Sequence, residues 1–271
     1  TSRVHGGLTN PTTSSAKDAV GAASAAISTM REILVWPDLA ALAQAAADRF
    51  VSIANHAIET SGRFTVALSG GSTPRALYAA LIDRLSIGWP RVHVFWGDER
   101  CVPPDQPDSN YGLARQMLLS KVNVPEANVH RIKGELDPDP AALEYEVELR
   151  RVFEPALTLP RSFPRFDLIL LGMGAEGHTA SLFPGTAAIH EQQRWVVAHY
   201  VEPLKTHRVT LTPPVLNQAA HVIFMAAGAD KASALRAVLY GEYDPDRYPA
   251  QLVSPADGQL TWLIDRAASD S

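Results

Sequence analysis

The sequence predicts an α/β protein of the doubly wound class, a mainly parallel sheet with helices on both faces. Three observations point there. Short, nearly continuous apolar runs recur along the chain, as in strands buried on both faces. Stretches of helical period fall between most of them, and parallel pairing needs such crossovers. Polar, glycine-bearing segments follow several of the runs, and open α/β sheets gather their ligands at the carboxyl ends of strands.

Glu32 to Trp36 (EILVW) reads as the first strand. Pro37-Asp38 opens an Ala-rich helical stretch that closes at Ser61-Gly62. Thr65 to Leu68 (TVAL) is the next strand, followed by Ser69-Gly70-Gly71-Ser72-Thr73 and a helix with Thr73 as N-cap and Pro74 in its first turn. The alternation continues with strands at Val92 to Trp96, Phe166 to Leu171, Trp195 to Tyr200, Arg208 to Thr212 and His221 to Ala226. It runs without a linker, so residues 30–271 are expected to form a single domain. Residues 1–29, rich in Thr, Ser, Ala and Gly, are expected to be an N-terminal extension outside it. They carry neither the apolar h-region of a signal peptide nor an Arg-rich amphipathic stripe.

Composition narrows the function classes. Of 271 residues, 46% are hydrophobic and 20% charged, enough to build a packed core. The net charge of −5 leaves no global basic field for nucleic acid or an anionic membrane surface, so any anion site is local. No apolar run approaches the ~20 residues that span a bilayer. Cys101 is the single cysteine and fits a reducing compartment. A soluble, cytoplasmic protein without nucleic-acid or membrane partners is expected.

Ser69 to Thr73 offers backbone N–H groups, hydroxyls and a helix N-terminus, which suit a phosphate. A plain connecting turn is the alternative, and ATP is not implied because the Gly-Lys-Ser/Thr of a nucleotide loop is missing. Gly97-Asp98-Glu99-Arg100 places two carboxylates and a guanidinium after a strand. Arg100 can fork onto phosphate oxygens and Asp98 can orient a hydroxyl or a catalytic group, unless the three form only a salt-bridged loop. Gly172-Met173-Gly174-Ala175-Glu176-Gly177 matches G-x-G-x-x-G. The acidic residue expected ~20 positions on is missing, and Pro184-Gly185 limits any following helix to about two turns, which argues against a dinucleotide. Gly172, Gly174 and Gly177 are better read as bringing backbone close to a small ligand. His178 follows them at once and is the best candidate for proton transfer near pH 7, above His130, His190 and His207. Arg208 begins a strand. Lys231 sits on a helix start, where the helix dipole disfavours a cation, so it hints at an anion unless it is an ordinary surface lysine; Asp230 serves as N-cap.

Four segments in order, Ala67 to Pro74, Trp96 to Arg100, Gly177 to Gly185 and Arg208 to Thr212, resemble the glucosamine-6-phosphate isomerase/6-phosphogluconolactonase family on its lactonase side. The resemblance implies a Rossmann-like fold of the sugar-phosphate isomerase/lactonase type. It further implies hydrolysis of 6-phosphoglucono-δ-lactone to 6-phosphogluconate in the oxidative pentose phosphate pathway, with no metal or organic cofactor. His178 is then the general base; Asp98, read from its segment as able to orient a hydroxyl or a catalytic group, completes the expected catalytic set. Phosphate ligands fall on Ser69, Gly70, Gly71, Ser72, Thr73, Arg100, Arg208 and Lys231. The partner is a small sugar-phosphate lactone, bound by a monomer or small homo-oligomer. Two rivals stand beside this reading. A deaminase of the same family needs a glutamate five residues after the histidine, where this chain has Phe183. A non-catalytic sugar-phosphate sensor would not need His178. The family has Asp before Gly-His and this chain has Glu176, whose part is left open.

Overall fold

The computed structural model describes residues 31–154 and 163–269; the predicted extension over 1–29 lies outside the described residues. β1 (Arg31–Trp36) leads to α1 (Leu39–Ser61). That helix starts where Asp38 accepts the Ala41 N–H at 2.8 Å and stops where Gly62, at φ 79°, returns its N–H to the Ile58 carbonyl. Leu42, Ala46, Phe50, Ala54 and Ala57, spaced three or four apart, form its buried stripe. β2 (Phe64–Leu68), buried along its whole length, feeds α2 (Ser72–Ile82). β3 (Val92–Trp96), β5 (Leu168–Gly172), β8 (His221–Ala226) and β9 (Gln259–Asp265) complete a six-stranded parallel sheet in the order β1-β9-β8-β5-β2-β3.

The chain leaves β2 toward one edge, through β3, and leaves β5 toward the other, through β8 and β9. β2 and β5 are neighbours, so the loops at their carboxyl ends part and open a crevice at a topological switch point. The phosphate-suited loop after β2 and the glycine-histidine loop after β5 are its two sides.

The strands near 196 and 208 are not part of this sheet. β4 (Asp98–Arg100), β6 (Val196–Val201) and β7 (Thr206–Leu211) form a separate antiparallel sheet in the order β4-β7-β6. The connection from β6 to β7 is only Glu202 to Lys205, with Lys205 at φ 50°. That length closes a hairpin and cannot carry a parallel crossover.

Three local expectations also change. No helix follows the glycine motif: Gly177 (φ 85°), Ala180 (φ 47°) and Gly185 (φ 70°) hold the chain in turns. The N-cap of α2 is Gly71 at φ 102°, with Thr73 inside the helix. The helix Ala232–Tyr240 is preceded by Lys231 without a side-chain cap, so Asp230 does not cap it.

α4 (Pro138–Phe153), which follows α3 (Asn110–Met117), ties the two sheets together. Its Tyr145 hydroxyl accepts from Trp96 N–H at 3.0 Å and donates to the Trp96 carbonyl at 2.9 Å. Its Glu146 carboxylate accepts from Arg150, from Arg194 and from the Trp195 and Val196 N–H groups at the start of β6. No helix among the described residues is long and apolar enough to cross a membrane.

His130 belongs to the packing. Its ring stacks on Phe95 with centroids 4.3 Å apart, its Nδ1 meets Glu148 at 2.6 Å and its Nε2 lies 3.1 Å from His93 Nδ1. Burial, then His130, Arg63 and Arg151, pull the His93 imidazole down to about 4 from 6.5. Burial also lowers His130, against the opposing pull of Glu148. A histidine held below its unfolded value binds fewer protons folded than unfolded. Its stabilising effect is therefore complete above pH ~6.5 and is lost as the pH falls toward 4. The urea midpoint is expected to drop through that window, and His93→Asn to flatten the slope; parallel slopes in both proteins would contradict this.

Candidate active site

A cavity of about 210 Å³ occupies the crevice. Ser69, Gly70, Gly71, Ser72 and Thr73 line one side, Gly172, Gly174 and His178 the other, and Asp98, Arg100, Asn110 and Lys231 close it. A larger cleft, about 980 Å³, lies by Tyr111, Arg115, His130 and α4. Its Arg131 and Lys133 are already paired with Glu135 and Glu144, and no glycine loop borders it.

The His178 loop is locked from within. Gly174 N–H donates to the His178 carbonyl at 2.9 Å, Gly177 N–H to the Gly174 carbonyl at 3.0 Å, and Thr179 Oγ1 to the Gly172 carbonyl at 2.8 Å. Gly177 faces away from the cavity, where a Cβ would meet Tyr248 Cδ1 at 2.8 Å, and its carbonyl accepts from Ala250 N–H. Gly174 is needed by the histidine itself, since a Cβ there would come within 2.2 Å of His178 Nδ1.

The imidazole is held on two sides. Phe183 stacks on it with centroids 4.1 Å apart and planes 24° from parallel. Glu176 Oε1 lies 2.9 Å from His178 Nδ1, a charge contact outside hydrogen-bond alignment. The proximity of His178 lowers the Glu176 carboxyl below its ordinary value, with a smaller contribution from Lys231. Glu176, unassigned by sequence, is thus the histidine's neighbour. Residues two apart in a turn of glycines are the signal for it.

Asp98, buried, accepts from Ser181 Oγ at 2.7 Å, which ties the β4 carboxylate to the loop that carries His178. Glu99 does structural work: its carboxylate accepts from Arg100, Asn110 and Tyr111 N–H groups and from Ser109 Oγ. Burial raises its pKa despite the opposing effect of three of those bonds. The salt-bridged loop considered for Gly97 to Arg100 is therefore not what forms.

Arg100 and Arg208 face each other across β4 and β7. Their hydrogen bonds go to the Asp108 carbonyl, and to Thr206 Oγ1 and the His207 carbonyl, not to carboxylates. Burial first, then the charge of Arg100, pulls the Arg208 guanidinium below its ordinary value. An anion between them would relieve both effects. Arg208 does not line the cavity itself but is the cross-strand partner of Arg100, which does. Lys231 lines it, with Asp230 3.6 Å away. Cys101 is half-buried and burial raises its thiol pKa, so it is a poor nucleophile. No cluster of three or more His, Cys, Asp or Glu side chains suited to a metal ion exists among the described residues.

Comparison with known proteins shows the family to which this fold belongs. The family described as glucosamine-6-phosphate isomerases/6-phosphogluconolactonase matches residues 37–262, and the chain belongs to it. It is 42% identical over 240 residues to a protein of Nostoc sp. named 6-phosphogluconolactonase, covering 88% of this chain and 97% of that one. A Synechocystis sp. protein of the same name is 44% identical over 216 residues, 79% and 87% of the two chains. The structure of 6-phosphogluconolactonase from Trypanosoma cruzi superposes with a TM-score of 0.78 at 30% identity, covering 89% of this chain and 96% of that one.

A methyl group at position 174 tests the packing of this loop. Gly174→Ala is expected to push the imidazole away from Glu176, so that the Glu176 carboxyl rises toward its ordinary range in a ¹³C NMR titration. An unmoved carboxyl would show that the ring tolerates the methyl group where it stands.

Proposed function

We propose that this chain hydrolyses 6-phosphoglucono-δ-lactone to 6-phosphogluconate, with His178 as general base. The observation that carries the proposal is a braced imidazole that shares one small cavity with a helix start and two cationic side chains, Arg100 without a carboxylate partner and Lys231 with only the exposed Asp230 at 3.6 Å. Neutral His178 takes a proton from water as that water attacks the lactone carbonyl, and returns it to the departing ring oxygen. Glu176 stands beside Nδ1, so a carboxylate borders the ring that carries the proton between those two transfers.

The phosphate end anchors the substrate. In this reading Ser69 to Thr73, Arg100 and Lys231 hold the dianion, with Arg208 supplying charge from the strand beside Arg100. The N–H groups of Ser72 and Thr73 belong to the first turn of α2, where no intrahelical acceptor is available. Binding at this remote group fixes the carbonyl against His178. Asp98, held by Ser181, is assigned to orienting the reacting groups, and Gly172 and Gly174 to admitting the ring. The deaminase reading lacks its relay, because the ring of Phe183 fills the place of the glutamate and stacks on the base.

The test is hydrolysis of freshly made 6-phosphogluconolactone, followed above its spontaneous background, with ammonia release from glucosamine 6-phosphate as the competing assay. His178→Gln is expected to lower kcat by roughly 10²- to 10⁴-fold. Lys231→Met is expected to raise KM by about 10- to 100-fold with a smaller change in kcat. Acceleration that survives His178→Gln while Lys231→Met abolishes it would leave a phosphate site without this base.

A further inference from the structure

Asn110 is the buried polar side chain of the crevice wall that neither the anion site nor the proton relay uses. It opens α3, is 1% exposed and lines the cavity together with Ser69 and His178. Its backbone N–H is committed to Glu99 Oε1 at 2.7 Å and its side-chain Nδ2 to the Asp98 carbonyl at 2.9 Å. The second bond settles which way the amide points, because a flipped amide would set oxygen against oxygen. Oδ1 is therefore turned away from Asp98 and has no partner. It occupies the space beside Gly70, where a Cβ would stand 1.7 Å from it, so the glycine of the anion loop makes room for this oxygen. Ser69 Oγ, on the same loop and in a residue 4% exposed, is a second buried polar atom without a partner.

Orphaned buried polar atoms are rare in folded proteins, and two of them on residues that line one cavity call for a ligand that pairs them. Their chemistry selects the ligand group. An amide oxygen only accepts, and a phosphate dianion has no hydrogen to give, so Oδ1 cannot serve the phosphate. A hydroxyl can donate to it. The Ser69 hydroxyl both donates and accepts and can join the same hydroxyl or the phosphate beside it.

We infer that Asn110 Oδ1 accepts a hydrogen bond from a ring hydroxyl of the sugar phosphate, so that Asn110 sets specificity for the polyhydroxylated ring. The inference rests on the lactonase reading for the identity of the ring. A site built around an acceptor discriminates strongly against an analogue without the hydroxyl, because the acceptor is then left buried and unpaired.

The experiment compares 6-phosphogluconolactone with its 2-deoxy, 3-deoxy and 4-deoxy analogues, on the wild-type protein and on Asn110→Ala. Wild type is expected to lose roughly 10- to 100-fold in kcat/KM on one of the three. Asn110→Ala is expected to show a similar loss on the parent lactone and to distinguish that analogue from the parent by no more than about twofold. Asn110→Ser, whose hydroxyl can still donate near the Asp98 carbonyl, replaces the alanine variant if the latter does not fold. If neither folds, the wild-type series decides alone. A uniform response of wild type to all three analogues overturns the inference, and so does full discrimination by a folded variant. Failure of the lactonase reading looks different: wild type would not accelerate hydrolysis of the parent lactone at all. Calorimetric titration of 6-phosphogluconate and its deoxy counterparts into wild type and variant then decides Asn110, with the same pattern of coupled loss expected.

Discussion

Everything at the crevice depends on the two hydrogen bonds of Gly97. Its N–H donates to the carbonyl of Leu68 at the end of β2, and its carbonyl accepts the N–H of Leu211 at the end of β7. One residue thus leaves the parallel sheet and enters the antiparallel one. The chain turns there without a side chain, between Leu68 O at 3.7 Å and Leu171 at 4.0 Å from where a Cβ would be. This places Asp98 and Arg100 over the switch point between β2 and β5, opposite the two glycine loops. Without the small sheet the crevice would have a phosphate-suited loop and a histidine but no guanidinium between them.

The parts of this arrangement legible in the sequence are those set by local chemistry. Apolar runs such as FTVAL and HVIFMA can only be buried strands, and Asp38 and Gly62 mark the ends of the first long helix because capping needs a few neighbouring residues. Membership in one sheet or the other is a different matter. RVTL and LILL look alike as strings, yet one pairs antiparallel in a hairpin and the other parallel in the core, and the difference lies in the short Glu202 to Lys205 connection. The absent helix after Gly177 was hidden for a related reason: Ala180 adopts a positive φ imposed by the loop's own closure, which no residue type announces.

At the site, glycine clusters and lone cations outside helices stand out in a sequence, whereas contacts between distant segments do not. Asn110 stands eleven residues after Glu99 and forty after Gly70, and only the folded chain puts its amide between them. Gly177 has the opposite lesson. It belongs to the same pattern as Gly174, but its positive φ serves the turn and its open face serves Tyr248 rather than a ligand.

The charges of the crevice divide into committed and uncommitted groups, and that division separates binding from chemistry. Glu99 is consumed by backbone N–H groups, and Asp98 is tied to Ser181, so neither neutralises the arginines through a direct pair. Arg100 and Lys231 in the cavity wall, with Arg208 paired across the ladder from Arg100, therefore keep a positive field there, and Glu176 feels the charge of Lys231. Glu176 stands beside the imidazole and Phe183 shields one of its faces. On the proposed reading a phosphate goes to the cations, because the aromatic ring and the carboxylate beside the histidine offer it nothing. The same reading then turns the uncharged ring of the substrate toward the histidine.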